Sequence, residues 1–507
     1  MNDLIISLDT KADAPLYEQI CEYFKQEIQE GRLAAGVRLP SSRALAGNLA
    51  VSRSTVDLAY DQLVSEGYIE AVPCKGYYVC DIEGLYYGTG RRQEQPDAGS
   101  GASQECALKG RPHETKRQAD RESFKNRDGF VYDFALNGIA PGSFPHNAWR
   151  RLSRQVLTDA QDSLFALGNP CGELSLREAI AEYLYRARGV HCEPEQILVG
   201  AGNDYLLMLL CTILGRDRRI AMENPTYRSA WHDFGHMGFE RCVVNQDEQG
   251  IDVKDLEQTG ADMVYVMPSH QFPMGTVMPL KRRLSLLKWA GRGERYIIED
   301  DYDSEFRYKG KPIPALQGFD KEERVIYLGT FSKSIAPSIR ISYMVLPQKL
   351  MRRYLSGENP FSVTVSRADQ KILERFLREG HYERHLNRMR SLYKGKHDLL
   401  LRWLKDGMGN VCTYFGEHAG VHLLVQLKNG LSEQEAVEKA ARFGVRVYGL
   451  SEFLVSGQTP PMQSTVLLGY ATMPEEDLEE GIKRLTAAWL PPGVRLCGGW
   501  RQRFLGD

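Results

Sequence analysis

The stretch VIYLGTFSKSIAPSIR, residues 325–340, decides the fold. Val325 to Leu328 are apolar enough for a buried strand. They run into a polar turn, Gly329-Thr330-Phe331-Ser332-Lys333, with Arg340 beyond it. Two earlier stretches have the same shape. Ile197-Leu198-Val199 leads into Gly200-Ala201-Gly202-Asn203-Asp204 and then a helical run from Tyr205 to Leu214. Tyr296-Ile297-Ile298 leads into Glu299-Asp300-Asp301-Tyr302-Asp303. Strands that end in polar motifs suit an open α/β sheet, whose ligands bind beyond the carboxyl ends of the strands. From Val131 to near the C-terminus apolar strands alternate with helical segments, which predicts α/β architecture.

Each motif alone is weak. Glycine-rich turns that open helices are common, an acidic cluster reads equally well as a metal site or a solvated loop, and most lysines are surface charges. Their combination is specific. An aldehyde cofactor with a pyridine ring and a phosphate needs a lysine for a Schiff base. It needs a carboxylate against the ring nitrogen, an aromatic face, phosphate donors and a cation. The chain offers Lys333, Asp300, Tyr227, the Gly202 turn with Ser332, and Arg340. A helix N-terminus at that turn would favour phosphate. Asp301 and Asp303 compete with Asp300 for the ring. Along a strand neighbours point to opposite faces, so Asp300 shares a face with Tyr302 that excludes Asp301 and Asp303.

The first 80 residues have a different texture. Leu16, Ile20, Phe24 and Ile28 recur at helical spacing between Pro15 and Gly31. Ser41 is placed to cap a short helix through Leu49, and Ser52 or Ser54 a second helix reaching Glu66, with Gly67 as its stop. Tyr68 to Val79 reads as two strands around Cys74-Lys75-Gly76. Helix, short helix, turn, helix and hairpin make a winged helix-turn-helix. Over residues 1–80 there are 7 basic and 11 acidic side chains. Yet Arg32, Arg38, Arg43 and Arg53 occupy the span from Gly31 to Val56 without one acid. The positive charge is confined to the helix starts that would face a duplex. A helical dimerisation module with solvated arginines is the competing reading. Asp57, acidic on the recognition helix, would read a cytosine amino group or face solvent.

Between the two zones, residues 81–130 are rich in Gly, Ser, Gln and charge and poor in large aliphatics, so a flexible linker is expected. The chain of 507 residues is 42% hydrophobic and 26% charged with a net charge of −2, which excludes a membrane-spanning, collagenous or wholly disordered protein. Met1-Asn2-Asp3-Leu4 has no basic leader, so a secretory signal is not expected and a cytoplasmic location is. The 10 cysteines are scattered without a C-x-x-C pair, which predicts free thiols and no metal site.

Residues 13–80 closely resemble the GntR-family winged helix, through L-P-S-S-R, V-S-R-x-T-V, E-G-Y and G-Y. That resemblance implies contacts to double-stranded operator DNA at Arg43, Ser52, Arg53, Ser54 and Thr55, with Lys75-Gly76 at the wing tip. Residues 131–490 resemble the fold-type-I, aspartate-aminotransferase-like enzymes dependent on pyridoxal 5′-phosphate (PLP). The motifs are NPCGELSLREAI (169–180), ENPTY (223–227), PSHQFPMG (268–275), EDDYDSEFRY (299–308) and GTFSKSIAPSIR (329–340). The whole chain is similar to the MocR/GabR-type transcriptional regulators. The implied fold is an α+β winged helix (1–80), a linker (81–130) and an α/β PLP domain (131–507). The implied roles are Lys333 for the Schiff base, Asp300 on the pyridine nitrogen, Tyr302 on the ring hydroxyl and Tyr227 stacked on the ring. Asn203, Asp204, Thr330, Ser332 and Arg340 would hold the phosphate, the first two through backbone N–H groups. A homodimer is implied, arranged head-to-tail, with the winged helix of one subunit on the partner's large domain.

Two departures favour a sensor of PLP or an amine effector over a working aminotransferase carrying a DNA-binding domain. Many aminotransferases have Asn where this chain has Phe272. The arginine that usually clamps a substrate carboxylate is also missing, since no arginine lies between Arg446 and Arg484. Arg446 is the alternative clamp. Schiff-base chemistry survives both departures, and turnover is expected to be vestigial.

Overall fold

A computed structural model describes residues 6, 8, 9, 14–72, 75–81, 130–159, 162–308, 313–357, 361–416, 419–455 and 462–490. The expected linker lies outside the described residues apart from its two ends, as do Cys74, Cys106 and Cys497. The other cysteines are free thiols.

The N-terminal part is built from three helices and a hairpin. Helix α1 (Leu16–Gln29) follows Pro15 and buries Ile20, Phe24 and Ile28 on one face. Helix α2 (Ser42–Leu49) starts where the Ser41 hydroxyl accepts the Ala44 N–H at 3.2 Å. Helix α3 (Arg53–Glu66) starts where the Ser52 hydroxyl accepts the Thr55 N–H at 3.1 Å, so Ser52 and not Ser54 is the cap. Each such cap satisfies an N–H that the helix cannot pair internally. Val56, Tyr60 and Leu63 of α3 are buried, and the Tyr60 hydroxyl donates to Pro40 O at 2.9 Å. Strands β1 (Ile69–Val72) and β2 (Gly76–Val79) pair antiparallel with Ile69 opposite Val79.

The large part is organised by a seven-stranded sheet. Its strands are β3 (Ile197–Gly200), β4 (Arg219–Glu223), β5 (Glu240–Val244), β6 (Met263–Val266), β7 (Tyr296–Asp301), β8 (Val325–Thr330) and β9 (Ser342–Val345), in the order β3-β9-β8-β7-β6-β4-β5. Only β9 runs against its neighbours in this sheet. Both faces are covered, and this is why the strands read as continuous apolar runs. Alternate residues feed two cores. Leu198, Ile298, Leu328 and Met344 join one with helix α4 (Asn203–Leu214), while Val199, Tyr327, Tyr343 and Val345 join the other. A second sheet is antiparallel, with β10 (Cys412–Phe415), β11 (His422–Leu427), β12 (Tyr448–Gly449) and β13 (Thr465–Gly469) in the order β10-β11-β13-β12.

The two parts touch along helix α5 (Leu280–Ala290). Leu280 and Leu284 are buried in the same cluster as Tyr68, Ile69 and Val79, with Val64, Leu287 and Phe319 packed around them. Helix α3 ends against this seam at Gly67, whose φ of 78° only glycine adopts cheaply. A Cβ added at Gly67 would lie 2.8 Å from Leu280 N. Gly67→Ala is therefore expected to destabilise the winged helix by about 1–3 kcal/mol, read as a lower unfolding midpoint of the full chain. An unchanged midpoint would show that the seam yields freely.

Candidate functional site

Strand β7 presents three consecutive acids, all buried, and the fold gives each a different partner. Glu299 accepts the N–H groups of Leu316 and Gln317 at 2.7 and 2.9 Å. Burial pushes its carboxyl up to about 7. Asp301 turns to the opposite face from Asp300. It pairs with buried Arg188 at 2.7 Å and accepts from Tyr327 and Ser304 at 2.5 and 2.8 Å. Burial would raise its pKa, but the guanidinium outweighs burial and holds it below the carboxylate range. Asp300 faces a cavity of about 270 Å³. One Asp300 oxygen accepts from the Tyr265 hydroxyl and from the Asn203 amide, and the other has no partner among the described residues. Burial pushes Asp300 up to about 6.

The same cavity is lined by Tyr227, Tyr302, Lys333, Asn203, Asp204, Thr330, Ser332 and Arg340, so it gathers every cofactor residue singled out from sequence. Lys333 leaves the end of β8 and donates to Asn137 Oδ1 at 2.6 Å and Leu136 O at 3.2 Å. Desolvation lowers its pKa, against the pull of Asp303 and Asp300.

Opposite Lys333 is an anion cradle. Asn203 and Asp204 are the first residues of α4, where backbone N–H groups are unpaired and the helix dipole is positive. The Asn203 side chain has a further task, its bond to Asp300. Arg340 lies against the Gly202 turn and pairs with Asp204 at 3.1 Å. A Cβ on Gly202, whose φ is 93°, would collide with the Arg340 guanidinium. Thr330 Oγ1 accepts from Ser342 at 2.8 Å and from Ser332 N at 3.1 Å, while the Ser332 hydroxyl is buried without a partner among the described residues. The free Asp300 oxygen, the free Ser332 hydroxyl and the Gly202 cradle fit a protonated pyridine and a phosphate.

Three neighbours escaped the sequence reading. Asn137 comes from a loop nearly 200 residues before Lys333, and Tyr265 from mid-strand, where it reads as core. His270 lies inside the PSHQFPMG motif and bonds Asp303. Strand alternation does not carry through to Asp303, because β7 ends at Asp301. Asp303 instead reaches the site through His270. Phe272 also lines the cavity, its ring edge-on to Tyr227 and Tyr302 at 6.2 Å each. Arg446 does not line it. Its guanidinium sits over the rings of Phe130 and Tyr448.

On the winged helix Arg43, Ser52, Arg53, Ser54 and Lys75 are exposed, and Thr55 and Gly76 are half-buried. Arg53 forms an i,i+4 ion pair with Asp57 at 3.4 Å, so the acid on the recognition helix holds an arginine in place.

Residues 16–79 match the bacterial regulatory proteins of the gntR family, and residues 138–485 match aminotransferase class I and II. The chain is 39% identical to the uncharacterized HTH-type transcriptional regulator YdeL of Bacillus subtilis, over 96% of this chain and 99% of that protein. It is 33% identical to the probable rhizopine catabolism regulatory protein MocR of Rhizobium meliloti, over 96% of both. The chain belongs to the MocR-type HTH transcriptional regulators. Another such relative, the pyridoxine biosynthesis transcriptional regulator PdxR of Corynebacterium glutamicum, is 32% identical over 80% of this chain and 82% of its own. The large part of this MocR-type chain superimposes on Pyrococcus horikoshii kynurenine aminotransferase with a TM-score of 0.64 at 26% identity, covering 74% of this chain and 95% of that one. Among the described residues no helix is long and apolar enough to cross a membrane.

The raised pKa of Asp300 has a consequence for stability. Its folded value of about 6 exceeds the unfolded one of about 3.9. The folded chain thus keeps a proton that the unfolded chain has lost, and stability falls as pH rises through that window. In cofactor-free protein, Asp300→Asn should raise the unfolding free energy by about 1–3 kcal/mol at pH 8, with the gain vanishing near pH 4. Denaturant titrations at the two pH values check this, and equal stabilities at pH 8 would contradict it.

Proposed function

We propose that this regulator binds PLP through Lys333 and adjusts its hold on operator DNA to the presence of PLP, or of an amine that reacts with it. One observation carries the reading: nine residues from four separate strand ends converge on one cavity, with a carboxylate oxygen and a hydroxyl that have no partner among the described residues. When bound, PLP supplies an aldehyde that condenses with amines. Asn137 and Leu136 O orient Lys333 towards it. Asp300 meets the pyridine nitrogen, Tyr227 covers the ring face and Tyr302 bonds the ring hydroxyl. The N–H groups of Asn203 and Asp204, with Thr330, Ser332 and Arg340, take the phosphate. The winged helix (1–80) and the PLP domain (131–507) would be joined by a linker (81–130). Arg43, Ser52, Arg53, Ser54, Thr55 and the Lys75-Gly76 wing tip would contact the duplex.

PLP itself is the favoured signal. Among the described residues lining the cavity the cations are Lys333 and Arg340, both engaged by the cofactor on this reading. Among those residues no arginine is left to fork onto a substrate carboxylate. The name of PdxR ties one relative to pyridoxine biosynthesis, which supports the same choice. Transamination is vestigial on this reading. The working form is a homodimer. Phe165, Leu167, Leu174, Met208 and Phe361 are large apolar side chains left exposed, which suits burial by a second copy. A head-to-tail dimer would carry the winged-helix face that covers α5 in one chain to the α5 of its partner.

The holo protein should show a visible band, and borohydride should fix PLP to Lys333. Lys333→Ala should abolish the fixation and the response of operator affinity to PLP, and millimolar L-amino acids should leave the wild-type band in place. A band displaced by ordinary L-amino acids and restored by Arg446→Ala would reinstate a carboxylate clamp. Arg53→Ala should weaken specific DNA binding by about 1–3 kcal/mol, with affinity falling steeply as salt rises. Light scattering should return a dimer at micromolar concentration, and a PLP-loaded monomer would remove the twofold reading.

A further inference from the structure

Beside the cavity lies a buried polar cluster to which the reading above gives no part. His270 and Asp303 are each 2% exposed. The imidazole Nδ1 is 2.9 and 3.2 Å from the two Asp303 oxygens and 3.0 Å from the Tyr302 hydroxyl. The imidazole and phenol rings stack at 6.1 Å, and Nε2 has no partner among the described residues. The site is shaped around this ring. Gly420, at φ 76°, lies so close that any Cβ there would collide with the imidazole. On the far side the His422 ring is 5.2 Å away, and the His422 Nε2 donates to Pro273 O at 3.0 Å.

The hydrogen positions follow from chemistry. An ionised carboxylate only accepts, so Nδ1 beside Asp303 carries a hydrogen. A nitrogen that carries a hydrogen cannot accept from a phenol. Tyr302 therefore turns its oxygen towards the imidazole and its own proton away from it, with the cavity that its side chain lines and the Asp303 carboxylate as the two places open to that proton. The Asp303 carboxylate is also close enough to the phenol to draw that proton, and the Nδ1–H, by engaging both of its oxygens, weakens that pull. On the same wall Phe272 offers no donor, which leaves the ring hydroxyl to Tyr302 on the PLP reading.

We infer that His270, held by Asp303, is a positioning residue that aims the Tyr302 hydroxyl proton at the ring oxygen of bound PLP. This rests on the PLP reading above. It accounts for a chain that has Phe272 and still keeps one directed donor. The other charged or titratable groups around Tyr302 are Asp300 and Asp301 on its own strand end, Lys333 beyond β8, 5.9 Å from the phenol ring, Tyr265 on β6, Tyr227 at the start of its helix, and His422 from β11. His422 stays neutral, because burial, and then the neighbouring His270, lowers its pKa to about 4.

A donor on the ring oxygen favours the form in which that oxygen has lost its proton, so losing the donor should raise the pH at which the visible band interconverts. The test is an absorbance titration of PLP-loaded full-length protein from pH 5 to pH 10. Tyr302→Phe sets the full shift. His270→Phe should move the midpoint up by about one pH unit, towards that value. His270→Asn, whose amide N–H can replace Nδ1–H, should stay near wild type. The double variant should shift no further than Tyr302→Phe alone. Asp303→Asn, which keeps size and shape, should also raise the midpoint and serves where His270→Phe does not fold. A His270→Phe or Asp303→Asn midpoint equal to wild type overturns the inference, as do shifts that add in the double variant or a Tyr302→Phe midpoint that does not move. A wild-type protein with no visible band would instead refute the PLP reading itself.

Discussion

The buried pair between Arg188 and Asp301 is the constraint on which the site depends. Both side chains are at most 2% exposed, and a charge at such depth is tolerated only with a partner. Arg188 also donates to Ser269 Oγ and to Ile313 O. One guanidinium thus ties the end of β7 to the segment after β6 and to the chain beyond β7. With Asp301 held on that face, alternation along the strand turns Asp300 to the cavity. Glu299, on the same face as Asp301, is absorbed by two backbone N–H groups. Three adjacent acids therefore do three different things. Only the middle one keeps an oxygen without a partner among the described residues.

This division also explains what the sequence made legible. Apolar strands ending in polar turns placed Lys333, Asp300 and the Gly202 turn at the carboxyl edge of one sheet, because β3, β7 and β8 run parallel. Helix caps at Ser41 and Ser52 were readable because a cap is a local bond, three residues long. Asn137, Tyr265 and His270 were not. Each acts through a partner 32 or more residues away, and nothing in its own neighbourhood marks it. Asp303 does not line the cavity, and because β7 stops two residues before it, its bond to His270 is a contact that strand alternation does not describe.

The fold also links the cavity to the winged helix along a short piece of chain. Phe272 faces the cavity, and Leu280, eight residues later, lies under Gly67. The segment between them closes on itself, with Met278 N donating to Pro268 O at 2.9 Å and Gln271 N to Thr276 O at 2.8 Å. Arg283, buried in α5, fastens both ends by donating to Pro268 O and Met278 O at 2.9 Å each, and it reaches Pro314 O at 2.6 Å. Burial lowers its pKa to about 10, still leaving it charged at neutral pH, and a charged donor makes these the stronger kind of hydrogen bond.

That fastening limits how the segment can respond to its surroundings. A displacement of Phe272 could be absorbed within the loop only by lengthening bonds to a buried guanidinium, and each unmet buried group would cost about 1–3 kcal/mol. Moving the loop and α5 together breaks none of those bonds. Pro279 and Leu280 then move with it, and Gly67 rests on both. Gly67 is the stop of α3, whose other end carries Ser52, Arg53 and Thr55 about 20 Å away along a rigid helix. A rigid helix with Ser52, Arg53 and Thr55 at one end and the seam at the other carries a displacement of the seam to those residues, the ones proposed to contact the operator.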